Sequence, residues 1–125
     1  MLHSKIHRAT VTESKLEYIG SITIDKALLK KVDIWPGEKV LVVSKTNGAR
    51  LETYVIEGKT NSGVICVNGA ASHLIKKGHE VIIMTFKLTN KRIKPKCILV
   101  DKKNKFVKFL VHDEKSLLWK NLKTS

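Results

Sequence analysis

The sequence predicts a mainly β domain whose short strands close into a barrel, and three observations predict it. Runs rich in β-branched residues recur near residues 2–12, 15–24, 38–44, 50–57, 63–67, 79–87, 95–101 and 105–111, each bounded by turn chemistry. Only two stretches have helical character. The chain has 125 residues, enough for one core and too few for a comfortable second. Many short strands in so small a domain argue for closure, because closure removes exposed edges. The apolar share of 42% is that of a globular chain, which makes disorder a poor account.

The first run interleaves His3, Lys5, His7 and Arg8 with small apolar residues and has no continuous signal-peptide core. The second, 15–24, carries the pair Gly20-Ser21. Asp25 can cap a helix that begins at Lys26 and runs through Leu28, Leu29 and Val32, and Trp35-Pro36-Gly37 closes that region. Asn47-Gly48, between Val40-Leu41-Val42-Val43 and the run from Leu51 to Ile56, predicts a hairpin. The stretch from Gly69 to Ile75 reads as the second helix, ended by Lys76-Lys77-Gly78. In the tail, Leu117, Leu118, Trp119 and Leu122 stand at roughly helical spacing. The longest apolar stretches, such as Val81-Ile82-Ile83-Met84, fall far short of a bilayer span. The expectation is a cytoplasmic protein with no membrane partner.

Cys66 and Cys97 both lie inside apolar strand-like runs, outside any CxxC pair, and are expected as buried free thiols. His3 and His7 can share a strand face but have no carboxylate or cysteine partner, so no metal site is expected. The formal charge is +13, and it is uneven: residues 1–86 carry 12 Lys/Arg against 8 Asp/Glu, and residues 87–125 carry 12 against 3. One reading is a basic β-barrel module that holds RNA or another polyanion through counterion release. The preferred reading is a lysine-rich solvated surface, because aromatic stacking partners are few and no nucleic-acid motif is present.

Four segments, in this order and spacing, carry a further signal. They are Lys5-Ile6-His7-Arg8-Ala9-Thr10-Val11-Thr12, Tyr18-Ile19-Gly20-Ser21-Ile22-Thr23-Ile24-Asp25, Asn47-Gly48-Ala49-Arg50-Leu51-Glu52-Thr53-Tyr54 and Val67-Asn68-Gly69-Ala70-Ala71-Ser72-His73. Together they resemble the aspartate 1-decarboxylase proenzyme family, over residues 1 to about 112. The resemblance implies a six-stranded double-psi β-barrel with short helices, one domain over 1–115 and a tail over 116–125. It implies a precursor that cuts its own Gly20–Ser21 bond into chains 1–20 and 21–125, with Ser21 becoming a covalently bound pyruvoyl group. The implied reaction turns L-aspartate into β-alanine and CO2 for pantothenate and coenzyme A synthesis. Family members are homotetramers with active sites at subunit interfaces, and some need a separate maturation factor. Nothing is carried over onto the poorly matched basic segment 91–108.

Residue chemistry stands beside that resemblance. Serine supplies a hydroxyl one residue after the scissile carbonyl, and attack through a five-membered ring turns the amide into an ester. Negative charge builds on the Gly20 oxygen, where a placed donor stabilises it. Glycine at 20 permits unusual dihedrals and leaves the carbonyl open. Losing CO2 from aspartate leaves a carbanion, and a ketone bound to the substrate amine accepts those electrons. By resemblance, Thr53 helps stabilise the oxyanion, Tyr54 returns the proton, Arg50 grips the side-chain carboxylate and Lys5 the other one. Arg50 and Tyr54, four apart, share one face of a strand. Thr53, Asn68 and the backbone of Gly69, Ala70 and Ala71 match substrate-contacting positions, and Tyr18 and His7 match pocket positions. Ser72 stands where many relatives have alanine and Val43 where some have a bulkier side chain; neither removes a group the chemistry needs.

Overall fold

A computed structural model describes residues 1–113 and 118–120. Among them the chain forms ten strands and one short α-helix: β1 (Leu2–Thr10), β2 (Glu13–Lys15), β3 (Ser21–Asp25), α1 (Lys26–Val32), β4 (Lys39–Ser44), β5 (Arg50–Gly58), β6 (Ile65–Asn68), β7 (Glu80–Phe86), β8 (Lys96–Val100), β9 (Phe106–Asp113) and β10 (Leu118–Lys120). The fold is therefore mainly β, as the strand signals require.

Local chemistry fixes the turns. The Asp25 carboxylate accepts from Ala27 N at the start of α1 and also from Asn61 N and Gly63 N, at 2.8, 2.9 and 2.8 Å. One buried side chain thus caps the helix and ties down the loop before β6. The Asn47-Gly48 signal yields the β4/β5 antiparallel hairpin: Asn47 Oδ1 accepts from Ala49 N, and Gly48 N donates to Ser44 O. Asn104, fully buried, bonds Thr10 N, Thr10 O and Gly63 O, fastening the β8/β9 connection to the rest.

The strand order is β10-β9-β8-β1-β7-β4-β5-β3-β6-β2, with parallel pairs β1/β8, β3/β5 and β2/β6. No ladder joins the two ends of this order among the described residues. The core is aliphatic, built on Ile6, Ile22, Ile24, Leu28, Ile65, Ile83 and Ile98, all at most 2% exposed. Both cysteines are buried free thiols, and burial pushes the Cys97 thiol up to about 11.

Three expectations are revised. The run 15–24 is not one strand. β2 lies parallel to β6 and β3 antiparallel to it, one on each side, so the chain has to reverse between Lys15 and Ser21. Residues 16–20 make that reversal. The second helical stretch is a short 3-10 turn, Gly69–His73, and stops before Ile75. In the tail, Leu118–Lys120 is a strand paired with β9 rather than part of a helix, since the β9 backbone offers it hydrogen-bond partners. The remaining tail positions of that expectation, 116–117 and 121–125, lie outside the described residues.

Candidate active site

The reversal between β2 and β3 organises the site. Asn68, the last residue of β6, pairs with Lys15 on one side and with Ser21 on the other. Ser21 opens β3 and is 0% exposed. Its hydroxyl donates to Ile19 O at 3.2 Å and accepts from Asn68 Nδ2 at 3.0 Å. Asn68 Nδ2 also donates to Thr23 Oγ1 at 3.0 Å, and Asn68 Oδ1 accepts from the Cys66 thiol at 3.2 Å. A cavity of about 580 Å³ opens beside these groups, lined by Ser21, Thr23, Cys66, Asn68, Lys15 and Tyr18 among others. Lys15 pairs with Glu13 at 3.0 Å and lies 4.8 Å from the Tyr18 ring centroid, so its charge at the cavity edge is already engaged.

The glycine requirement falls elsewhere than the sequence suggests. Gly20 is not among the positive-φ glycines, and a Cβ built on it meets nothing within 4 Å. Gly69 has φ +75°, and a Cβ there would lie 2.6 Å from Gly20 Cα, 2.7 Å from Gly20 N and 2.9 Å from Tyr18 O. Gly69 is thus the bare seat on which the Gly20 backbone rests.

The remaining expected residues stand apart from this cavity. Arg50, Thr53 and Tyr54 lie on β5, whose ladder with β4 has no register shift, so Arg50 and Tyr54 share a face and Thr53 takes the other. Tyr54 is 40% exposed. The parallel β3/β5 ladder begins at Ile22↔Val55. Lys5 is half-buried on β1 between Met84 and Cys97, and burial lowers its ammonium from the usual range. Ala70 is exposed and Ala71 half-buried in the 3-10 turn that follows Asn68. Tyr18 and Ile19, the latter 83% exposed, project from the reversal. The structure therefore gathers Gly20, Ser21, Asn68, Gly69 and Tyr18, and leaves Lys5, Arg50, Thr53 and Tyr54 outside the cavity lining.

His7 sits at a bulge in β1, beside Arg8 at φ +65°, and its buried Nδ1 has no hydrogen-bond partner. Burial lowers its pKa first, followed by the positive charges of Lys5, Arg8 and Lys45, against the opposing pull of Glu80. The unfolded chain therefore takes up this proton before the folded one as pH falls. Stability is expected to drop as pH falls below the unfolded imidazole value of about 6.5. His7→Gln should flatten that part of the curve of melting temperature against pH; an unchanged slope would show that His7 titrates alike in both states.

Reading the residues in sequence order missed Thr23, Cys66 and Lys15. The first two carry a usable signal, because they stand two residues from Ser21 and Asn68 and so share their strand faces. Lys15 carries none, since it arrives through the parallel pairing of β2 with β6.

Comparison with known proteins adds an independent line. A family model described as aspartate decarboxylase matches residues 1–107. The aspartate 1-decarboxylase of Pelotomaculum thermopropionicum is 54% identical over 111 residues, covering 86% of this chain and 84% of its own. That of Desulfitobacterium hafniense is 52% identical over 118 residues, covering 91% and 92%, and that of Listeria innocua 49% over 120 residues, covering 93% and 94%. Identity of this order along nearly the full length of each relative, together with a family model that matches residues 1–107, shows that the chain belongs to the pyruvoyl-dependent aspartate decarboxylase family.

Proposed function

We propose that the chain is an L-aspartate 1-decarboxylase that forms β-alanine and CO2 after cutting itself between Gly20 and Ser21. One observation carries the reading: a fully buried serine hydroxyl, held between Asn68 Nδ2 and Ile19 O, directly follows a glycine whose backbone is seated on Gly69. These residues suit a group made from Ser21 in place, since Ser21 is enclosed while an open cavity reaches it for a small substrate.

In the processing chemistry, Ser21 Oγ attacks the Gly20 carbonyl carbon, the C–N bond breaks, and the acyl group moves to oxygen as an ester with a free Ser21 amine. Loss of the Ser21 Cα proton then expels the Gly20 carboxylate and leaves a dehydroalanine at the new terminus. Water replaces its nitrogen, which departs as ammonia, and the ketone of a pyruvoyl group remains. The Gly20 oxygen gathers negative charge in the first step, and Thr53, on β5 beside β3, is the proposed donor to that oxygen. When present, the pyruvoyl ketone supplies an electron sink for the carbanion left by CO2 loss.

The chain's own residues bind and protonate. The Arg50 guanidinium takes the side-chain carboxylate of aspartate through a two-pronged bond, and Lys5 offers a point charge to the other. Asn68, which lines the cavity, and the backbone of Gly69, Ala70 and Ala71 in the turn after it are the proposed further substrate contacts, and the Tyr54 phenol returns a proton to carbon. Tyr54→Phe is expected to self-cleave normally and to lose at least about a hundredfold in kcat, the scale of general acid catalysis. Cleavage timed by gel and turnover timed by β-alanine release check this; failure to cleave would move Tyr54 to the processing step.

The assembly belongs to the same reading. Ile19, Trp35, Phe86 and Leu88 are large apolar side chains left exposed on one protomer. Their exposure, with Arg50 and Tyr54 outside the Ser21 cavity, supports a homotetramer in which the site is completed between subunits. Closure of the domain over 1–115 as a six-stranded double-psi barrel, with a tail over 116–125, is part of the proposal, as are a cytoplasmic location, a role in pantothenate synthesis and possible dependence of cleavage on a maturation factor. No nucleic acid or membrane partner is invoked, and no helix among the described residues is long and apolar enough to cross a membrane. The direct test is release of carboxyl-labelled CO2 and β-alanine from L-aspartate by the purified protein; absence of both from a cleaved preparation would overturn the assignment.

A further inference from the structure

Four polar side chains meet at the β3/β6 ladder, where Ser21 pairs with Asn68 and Thr23 with Cys66. Asn68 bonds each of the other three: it donates to Ser21 Oγ and Thr23 Oγ1 and accepts from Cys66 Sγ. An amide side chain turned by half a revolution exchanges its oxygen and its NH2, so its neighbours decide which end meets Ser21. In the turned orientation both N–H groups would face one thiol sulfur, a weak acceptor. The oxygen would then need hydrogens from two hydroxyls, although that of Ser21 is already given to Ile19 O. Burial raises the Cys66 thiol pKa, which keeps it an S–H donor near neutral pH.

We propose that Thr23 and Cys66 are positioning residues for self-cleavage, which together hold the Asn68 amide with an N–H on Ser21 Oγ. That N–H occupies one lone pair of the hydroxyl while Ile19 O takes its hydrogen, so the second lone pair is left to attack the Gly20 carbonyl carbon. With either neighbour removed, the amide rotates, and the hydroxyl loses the restraint that sets this direction. The inference rests on Ser21 being the nucleophile of the cleavage.

The test follows cleavage of the full chain in expressing cells by pulse-chase, with product identity read from intact masses. Cys66→Ala and Thr23→Val are each expected to cut about tenfold more slowly, the effect of one buried hydrogen bond. Cys66→Ser and Thr23→Ser, which keep a hydroxyl at those positions, should recover most of the rate. In an Asn68→Ala background, adding Cys66→Ala should change nothing further, which a general loss of packing would not reproduce. Wild-type rates in both Cys66→Ala and Thr23→Val would overturn the inference, as would equal slowing by the alanine and serine replacements of Cys66. A wild-type chain that is never cut at Gly20–Ser21 would overturn the cleavage reading itself, and the inference with it.

Discussion

Ser21→Ala is expected to remain a single chain of 14.1 kDa and to lose more than about a thousandfold of its decarboxylase activity, the scale on which removal of a nucleophile acts. No other atom can replace the hydroxyl one residue after the Gly20 carbonyl, and the same atom later provides the oxygen that leaves with Gly20. Stability should change little by comparison. The substitution removes one acceptor from Asn68 and one donor from Ile19 O, a cost of about 1–2 kcal/mol against an otherwise aliphatic core. Cleavage and activity should therefore vanish while cooperative melting persists. Retained activity in a well-folded Ser21→Ala protein would end the pyruvoyl account.

Gly69→Ala is expected to have the next largest effect, although residue 69 performs no chemistry in this account. Its added methyl would overlap Gly20 Cα, Gly20 N and Tyr18 O, all backbone atoms that cannot swing aside as a side-chain tip can. Alanine at φ +75° carries a further strain of about 1–3 kcal/mol. The chain relieves both by moving the scissile segment away from Asn68, and a shift near 1 Å in a reacting group costs about a hundredfold in rate. Gly20→Ala is the informative contrast, because its methyl enters open space and leaves the fold unperturbed. Time courses of cleavage, read beside melting curves, separate the two. A Gly69→Ala chain that cuts at the wild-type rate would show that the close approach of residues 69 and 20 is irrelevant to processing.

Local chemistry was legible in the sequence wherever it acts over a few residues. Asp25 before an amphipathic run made α1, Asn47-Gly48 between two apolar runs made the β4/β5 hairpin, and both cysteines fell inside the core as their apolar neighbours imply. What was not legible depends on pairing partners far away in sequence. The break between β2 and β3 follows from their opposite directions against β6, about fifty residues later, and no turn residue ahead of Gly20 announces it. The same pairing explains the site. Ser21 and Asn68 could each be named from their segments, but their hydrogen bond, and the support of Asn68 by Thr23 and Cys66, exist only because β3 and β6 are antiparallel neighbours in this register. Gly20 shows the limit in the other direction: its place beside the serine suggests a conformational need, yet the positive φ belongs to Gly69 across the ladder.

The most direct test of the central claim is a denaturing intact mass of the purified wild-type protein, taken together with its activity on L-aspartate. The account predicts two chains divided between Gly20 and Ser21, the larger lighter by one ammonia than a chain that begins with serine, and CO2 release that scales with the cut fraction. A single 14.1 kDa chain that releases CO2 from aspartate, or a cut protein whose active larger chain begins with unmodified serine, would contradict it.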